Sequence, residues 1–132
     1  MRKEYLYEKN IITILLGTLL VGMIISAVTV AATQKYGEII TISTGWKTVA
    51  SDTNGINNNI RITSSVYTGV SRIDVRMLGK NGNVIWEEQN SCPALSARVY
   101  SCGADVYTVQ VKASSSSARG TVYALPTDDP AD

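Results

Sequence analysis

The sequence predicts an all-β protein, a small antiparallel β-sandwich of about seven to eight strands preceded by one N-terminal hydrophobic helix. Three observations carry this. Beyond Glu38, apolar and polar residues alternate with period two in short stretches, the pattern of a strand with one face buried. Clusters of Gly, Asn, Asp and Ser, the residues that turns demand, separate those stretches. Ahead of them stands one charge-free apolar run, Ile11 to Ala32, with nothing comparable after it.

As a helix, that run of about 22 residues, rising ~1.5 Å each, would cross a hydrocarbon core ~30 Å thick, whereas the apolar part of a secretory signal is ~7 to 15 residues. Length favours a retained anchor. The end of the run favours cleavage: Val30 and Ala32 place small residues before a cut at Thr33, and Thr29 with Ala31 would serve a cut one residue earlier. Leu15, Leu16, Leu19, Leu20, Ile24 and Ile25 leave no polar face for water, which disfavours a helix of a soluble domain. Arg2, Lys3 and Lys9 precede the run and only Lys35 closely follows it, so the positive-inside tendency puts everything after the run outside the cytoplasm. Residues 1–32 are therefore expected to be a signal peptide or an N-terminal transmembrane anchor, and residues 33–125 an extracytoplasmic β-sandwich domain. Residues 126–132, with Pro126, Pro130 and three aspartates, read as a flexible acidic tail. The protein is then secreted, or held on the membrane through residues 11–32 if they stay uncleaved.

The expected strands are Glu38 to Ser43, Trp46 to Ser51, Asn59 to Ser64, Ser71 to Leu78, Asn83 to Gln89, Ala97 to Ser101, Val106 to Ala113 and Gly120 to Leu125. Alternation is clearest where Ile73, Val75 and Met77 share one face and Arg72, Asp74 and Arg76 the other. Tyr107, Val109 and Val111 oppose Thr108, Gln110 and Lys112 in the same way. Gly79-Lys80-Asn81-Gly82-Asn83 joins two such patterns around an Asn-Gly pair and predicts an antiparallel hairpin over 71–89. Asp52 to Asn59 is a polar loop, and Ser114 to Ser117 a solvated connection. Trp86 shares a strand face with Val84 and is expected in the core.

Of the 12 Lys/Arg and 11 Asp/Glu, Arg2, Lys3, Lys9, Glu4 and Glu8 precede residue 33, which leaves nine of each sign and no net charge on the domain. The cations stand singly among acids and neutral polar residues. Nucleic acid, which needs clustered cations to displace its counterions, is therefore not an expected partner. Cys92 and Cys102 are the only cysteines, and in an exported domain such a pair predicts a disulfide that would contribute about 2 to 3 kcal/mol. The spacing is not Cys-x-x-Cys, and there is neither a histidine nor a second cysteine pair, so neither redox nor zinc chemistry follows.

Ile73-Asp74-Val75-Arg76-Met77-Leu78 followed by Asn81-Gly82-Asn83-Val84, then Tyr107-Thr108-Val109-Gln110-Val111-Lys112-Ala113 and Gly120-Thr121-Val122, resembles the rhythm of bacterial pre-peptidase C-terminal type domains. Those are small secreted β-sandwiches appended to extracellular enzymes. The segment Gly45-Trp46-Lys47-Thr48-Val49-Ala50 also resembles the opening of small signal-peptide-bearing Gram-positive proteins of unknown function. The likeness spans roughly residues 45–124, implies a secreted β-sandwich, and brings no catalytic residues. The chain departs from the first family in carrying no attached peptidase.

The chain contains no histidine, so Ser-His-Asp and Cys-His mechanisms lack their base. Glu87 and Glu88 are adjacent on a strand and point to opposite faces, so they cannot act together as a glycosidase pair. No catalytic residue, metal ligand set or cofactor is predicted. Asp52, Asn54 and Gly55 open like a calcium loop but offer one carboxylate, where that ion takes six to eight oxygens. Exposed aromatic faces are the remaining chemistry, with Trp46 and Tyr67 as candidate ligand-binding residues of a sugar platform. The expected role is an exported, non-catalytic binding or structural module whose partner is a cell-wall glycan or a surface protein. A secreted toxin-like or bacteriocin-like effector, and a membrane-tethered partner of a transporter or sensor, are the alternatives.

Overall fold

A computed structural model describes residues 34–132, apart from the side chain of Tyr67. The run Ile11 to Ala32, with its expected helix and cleavage points, lies outside the described residues. Among the described residues no helix is long and apolar enough to cross a membrane.

Eight strands follow one another without a helix: β1 (Ile40–Thr41), β2 (Lys47–Ser51), β3 (Asn59–Thr68), β4 (Arg72–Leu78), β5 (Val84–Pro93), β6 (Ser96–Tyr100), β7 (Thr108–Lys112) and β8 (Arg119–Thr127). They pair antiparallel in two four-stranded sheets, of order β1-β8-β3-β6 and β2-β7-β4-β5. Only the β4–β5 connection stays within one sheet. It is the Asn-Gly hairpin: Leu78 pairs with Val84, Gly79 N–H donates to Asn83 O at 2.8 Å, and Gly82 takes the positive φ of +80° that the turn requires. Every other connection carries the chain from one sheet to the other.

The alternation decides which faces meet. Ile60, Ile62 and Val66 of β3, with Val122 and Ala124 of β8, share one core with Val75 and Met77 of β4 and Val109 and Val111 of β7. A register shift between Thr48 and Ala50 in β2 lets two consecutive residues, Val49 and Ala50, both reach 0% exposure. Ser64 is the polar exception on β3: it is buried, and its hydroxyl has no hydrogen-bond partner.

Three strands outrun their sequence pattern, each for a local reason. β3 continues to Thr68 through a register shift between Val66 and Thr68. The opposing Gly120 makes this possible, because a Cβ there would overlap the carbonyl oxygen of Ser65 and sit 2.6 Å from Val66 Cα. β5 continues through Asn90, at φ +53°, whose N–H donates to the buried Asp74 carboxylate at 2.9 Å. β8 continues through Pro126, which pairs with Ile60 on one side; on the other side β1 reaches only Val122 and Thr121, so no ladder bond is lost.

The segment 126–132, expected as a loose tail, is held at several points. Asp129 forms an ion pair with Arg61, and its carbonyl accepts from Asn59 Nδ2 at 2.9 Å. Asp132 N–H donates to Val99 O at 2.9 Å, and its Oδ2 accepts from Val99 N–H at 2.7 Å.

The expected Cys92–Cys102 disulfide is not present in this structure, where both cysteines stand as free, buried thiols. Cys92 lies opposite Ile73, at the start of β4. Cys102 leads into the loop whose Tyr107 N–H donates to Leu78 O, at the other end of β4. Spacing along the chain suggested a short loop, but the residues between them form β6, with Cys92 on β5 of one sheet and Cys102 just after β6 of the other. Burial pushes each thiol up to about 11.

Candidate functional site

β5 and β6 are the outer strands of their respective sheets, and the short corner at Pro93–Ser96 places these two edges along the same side of the domain. Leu95, at φ +57°, makes the reversal, and Ala94 N–H donates to Ser71 O at 2.8 Å to fix it. Arg98 closes the gap between the edges next to this corner. Its Nη1 donates to Ser91 O at 2.9 Å and to Ser91 Oγ at 3.0 Å, and its guanidinium lies 4.9 Å from the Tyr100 ring centroid. Tyr100 and Ser91 hydroxyls share a further bond of 3.0 Å, both residues being buried. Burial raises the Tyr100 phenol well above its ordinary range.

Beyond this plug the edges part and leave a cleft of about 380 Å³, within the ~300 to 1,000 Å³ usual for ligand sites. Met77, Trp86, Tyr100 and Val106 form its apolar interior, and Arg98, Asp105 and Asp132 stand at its rim. Trp86, expected in the core, is half-buried instead: it packs on the core beside Met77 and meets the Tyr100 ring edge-on, centroids 5.9 Å apart. Because β5 is an edge strand, no further strand among the described residues covers the outer part of the indole, which lines the cleft. Ile85 and Asp105 also line a second depression of about 380 Å³, reaching the hairpin residues Lys80 and Asn81, so the two form one groove across this end of the domain.

The candidate residues from the sequence lie elsewhere and apart. Trp46 precedes β2, and Tyr67 sits at the register shift of β3, in the other sheet; the Tyr67 side chain lies outside the described residues. The Trp46 ring is already engaged, with the Arg76 guanidinium 4.3 Å and the Lys112 ammonium 4.7 Å from its centroid. The Asp52 loop is a turn: Asp52 Oδ1 accepts from Asn54 N–H at 2.9 Å and Oδ2 from Tyr36 Oη at 3.0 Å. These bonds, Asn54's first, lower the Asp52 carboxyl below its usual value. Tyr36 is pushed up to about 12, first by burial and then by Asp52. Among the described residues no three His, Cys, Asp or Glu side chains converge as a metal site requires. Glu87 faces Arg76 and Glu88 faces Val75, so the two carboxylates leave opposite faces of β5.

The chain matches no known family model and no curated protein.

Proposed function

We propose that the protein is an exported, non-catalytic β-sandwich module, secreted or held at the cell surface by residues 1–32, that binds a ligand in the cleft between β5 and β6. The cleft carries the reading: an indole face exposed beside Tyr100 and Met77, with a guanidinium and two carboxylates at the rim. An aromatic floor with a charged, hydrogen-bonding border suits a sugar ring, which offers one apolar face and a girdle of hydroxyls. A short segment of cell-wall glycan fits that description. The absence of histidine agrees with recognition without turnover.

The test is indole fluorescence of the full chain in mild detergent, with Trp46→Phe leaving Trp86 as sole emitter. Titration with disaccharide fragments of cell-wall glycan should give a saturable change that Asp105→Ala weakens. A flat response up to millimolar fragment, with the protein folded, would sink the reading.

A further inference from the structure

The outer face of the β2-β7-β4-β5 sheet holds an arrangement that the cleft does not use. Thr48, Gln110, Arg76 and Glu87 form one row across its four strands. Within it Arg76 Nε donates to Gln110 Oε1 at 2.7 Å, and Gln110 Nε2 donates on to Thr48 Oγ1 at 3.1 Å. This chain fixes the guanidinium by its inner nitrogen and leaves its two terminal nitrogens without a partner among the described residues. The Lys112 ammonium has no hydrogen bond or ion pair among them either, although it too lies over the Trp46 ring. The two cations are no further apart than the sum of their distances to that ring, and Arg76, Lys112 and Trp46 are all half-buried.

The nearby acids form no ion pair with these two cations among the described residues. Asp74, opposite Lys112 on β4, is buried and turned onto Asn90 N–H. Glu87, opposite Arg76, is exposed and outside ion-pair distance of it. A domain with no net charge thus keeps two fixed, partly desolvated cations with free donors around one indole.

We propose that this face binds a linear phosphodiester polymer, with one phosphate received by the free fork of Arg76 and by Lys112, and the intervening polyol resting beside Trp46. Charge complementarity argues for the occupant. A guanidinium fork beside an ammonium matches the oxyanion geometry of phosphate, and partial burial strengthens the attraction relative to fully solvated charges. The patch is too narrow for duplex nucleic acid, which needs an extended run of cations.

The experiment is calorimetric titration of the full chain in mild detergent with a poly(glycerol phosphate) oligomer, over a series of salt concentrations. Engagement of Arg76 and Lys112 predicts log K against log salt with a slope near −1.4, falling to about −0.7 in Arg76→Gln or Lys112→Gln. At low salt each variant should bind about three- to fivefold more weakly. Arg119→Gln, on β8 of the other sheet, should bind like the wild type. Thermal midpoints establish that the variants are folded, and the double variant should still bind in the β5–β6 cleft, which separates this proposal from the preceding one. No saturable binding of the oligomer, or binding unchanged in both variants, overturns the proposal. Equal binding of polygalacturonate overturns its phosphate chemistry, tighter binding of a single-stranded oligonucleotide overturns the polyol occupant, and equal binding of inorganic phosphate alone overturns the need for a chain.

Discussion

Replacing Arg98 with alanine isolates what holds the open side of the domain. The side chain makes two charge-assisted hydrogen bonds to Ser91, at 2.9 and 3.0 Å, and Ser91 is 0% exposed. Bonds of this kind are worth about 1.5 kcal/mol or more each, because the partner left behind is buried without compensation. Stacking on Tyr100 at 4.9 Å adds about 0.5 kcal/mol at a partly exposed site. The Glu88 contact, at the 4.0 Å limit and half-exposed, adds little. The sum is about 3.5 kcal/mol, which for a domain of this size lowers the melting temperature by roughly 20 °C. Urea unfolding followed by tryptophan fluorescence at 25 °C measures it directly. Arg61→Ala is the internal comparison: its ion pair with Asp129 has both side chains substantially exposed, at 44% and 56%, and should cost less than about 1 kcal/mol. If Arg98→Ala cost no more than Arg61→Ala, the description of Arg98 as the plug between the sheet edges would be wrong.

Gly120→Ala should destabilise by on the order of 3 kcal/mol in the same assay, since the new methyl collides with backbone at Ser65 and Val66 that no side-chain rotation relieves; a loss below about 1 kcal/mol would mean that β3 and β8 approach less closely. Ser64→Ala should be neutral or mildly stabilising, because it removes a buried hydroxyl with no partner; a loss above about 1 kcal/mol would reveal a partner. The two thiols, raised to about 11 in the fold, stay protonated where the unfolded chain's thiols, near pH 8.5, ionise. Their contribution is therefore full below about pH 8.5 and declines as pH rises towards 11, by about 4 kcal/mol in total at pH 10. Paired unfolding curves at pH 8 and pH 10 should show this extra loss in the wild type and not in the Cys92→Ala/Cys102→Ala variant. Under native conditions a thiol reagent should leave both cysteines unlabelled and in denaturant it should label both; a disulfide would leave denatured chains unlabelled.

Local pattern was readable where one residue's neighbours in sequence are also its neighbours in space. The hairpin over Gly79 to Asn83 is such a case, as are the faces of β4 and β7, where Ile73, Val75 and Met77 or Val109 and Val111 point to one side without help from afar. What depended on partners far along the chain was not readable. Pro126 reads as a stop until β1 proves too short to need its N–H. Trp86 reads as core until β5 turns out to be an outer strand. Cys92 and Cys102 read as a bridge, whereas the structure holds them as free thiols on either side of β6. The cleft itself depends on the side-by-side placement of β5 and β6, and no residue near Trp86 or Arg98 in sequence announces it. Trp46 was singled out as an aromatic, but its two cations come from β4 and β7, 30 and 66 residues later in the numbering.

The crossing of the chain between sheets at every connection but one also bears on the order in which the domain is made. β8, the last strand, lies between β1, the first, and β3, so the first sheet has a missing slat until the C-terminal residues arrive. A chain emerging N-terminus first from the ribosome can close the β4–β5 hairpin early and little else. Nearly all remaining pairings join distant segments and wait on the loss of loop entropy. The architecture delays closure of the first sheet until β8, the last strand, has been made, so the domain is completed all at once near the end of synthesis.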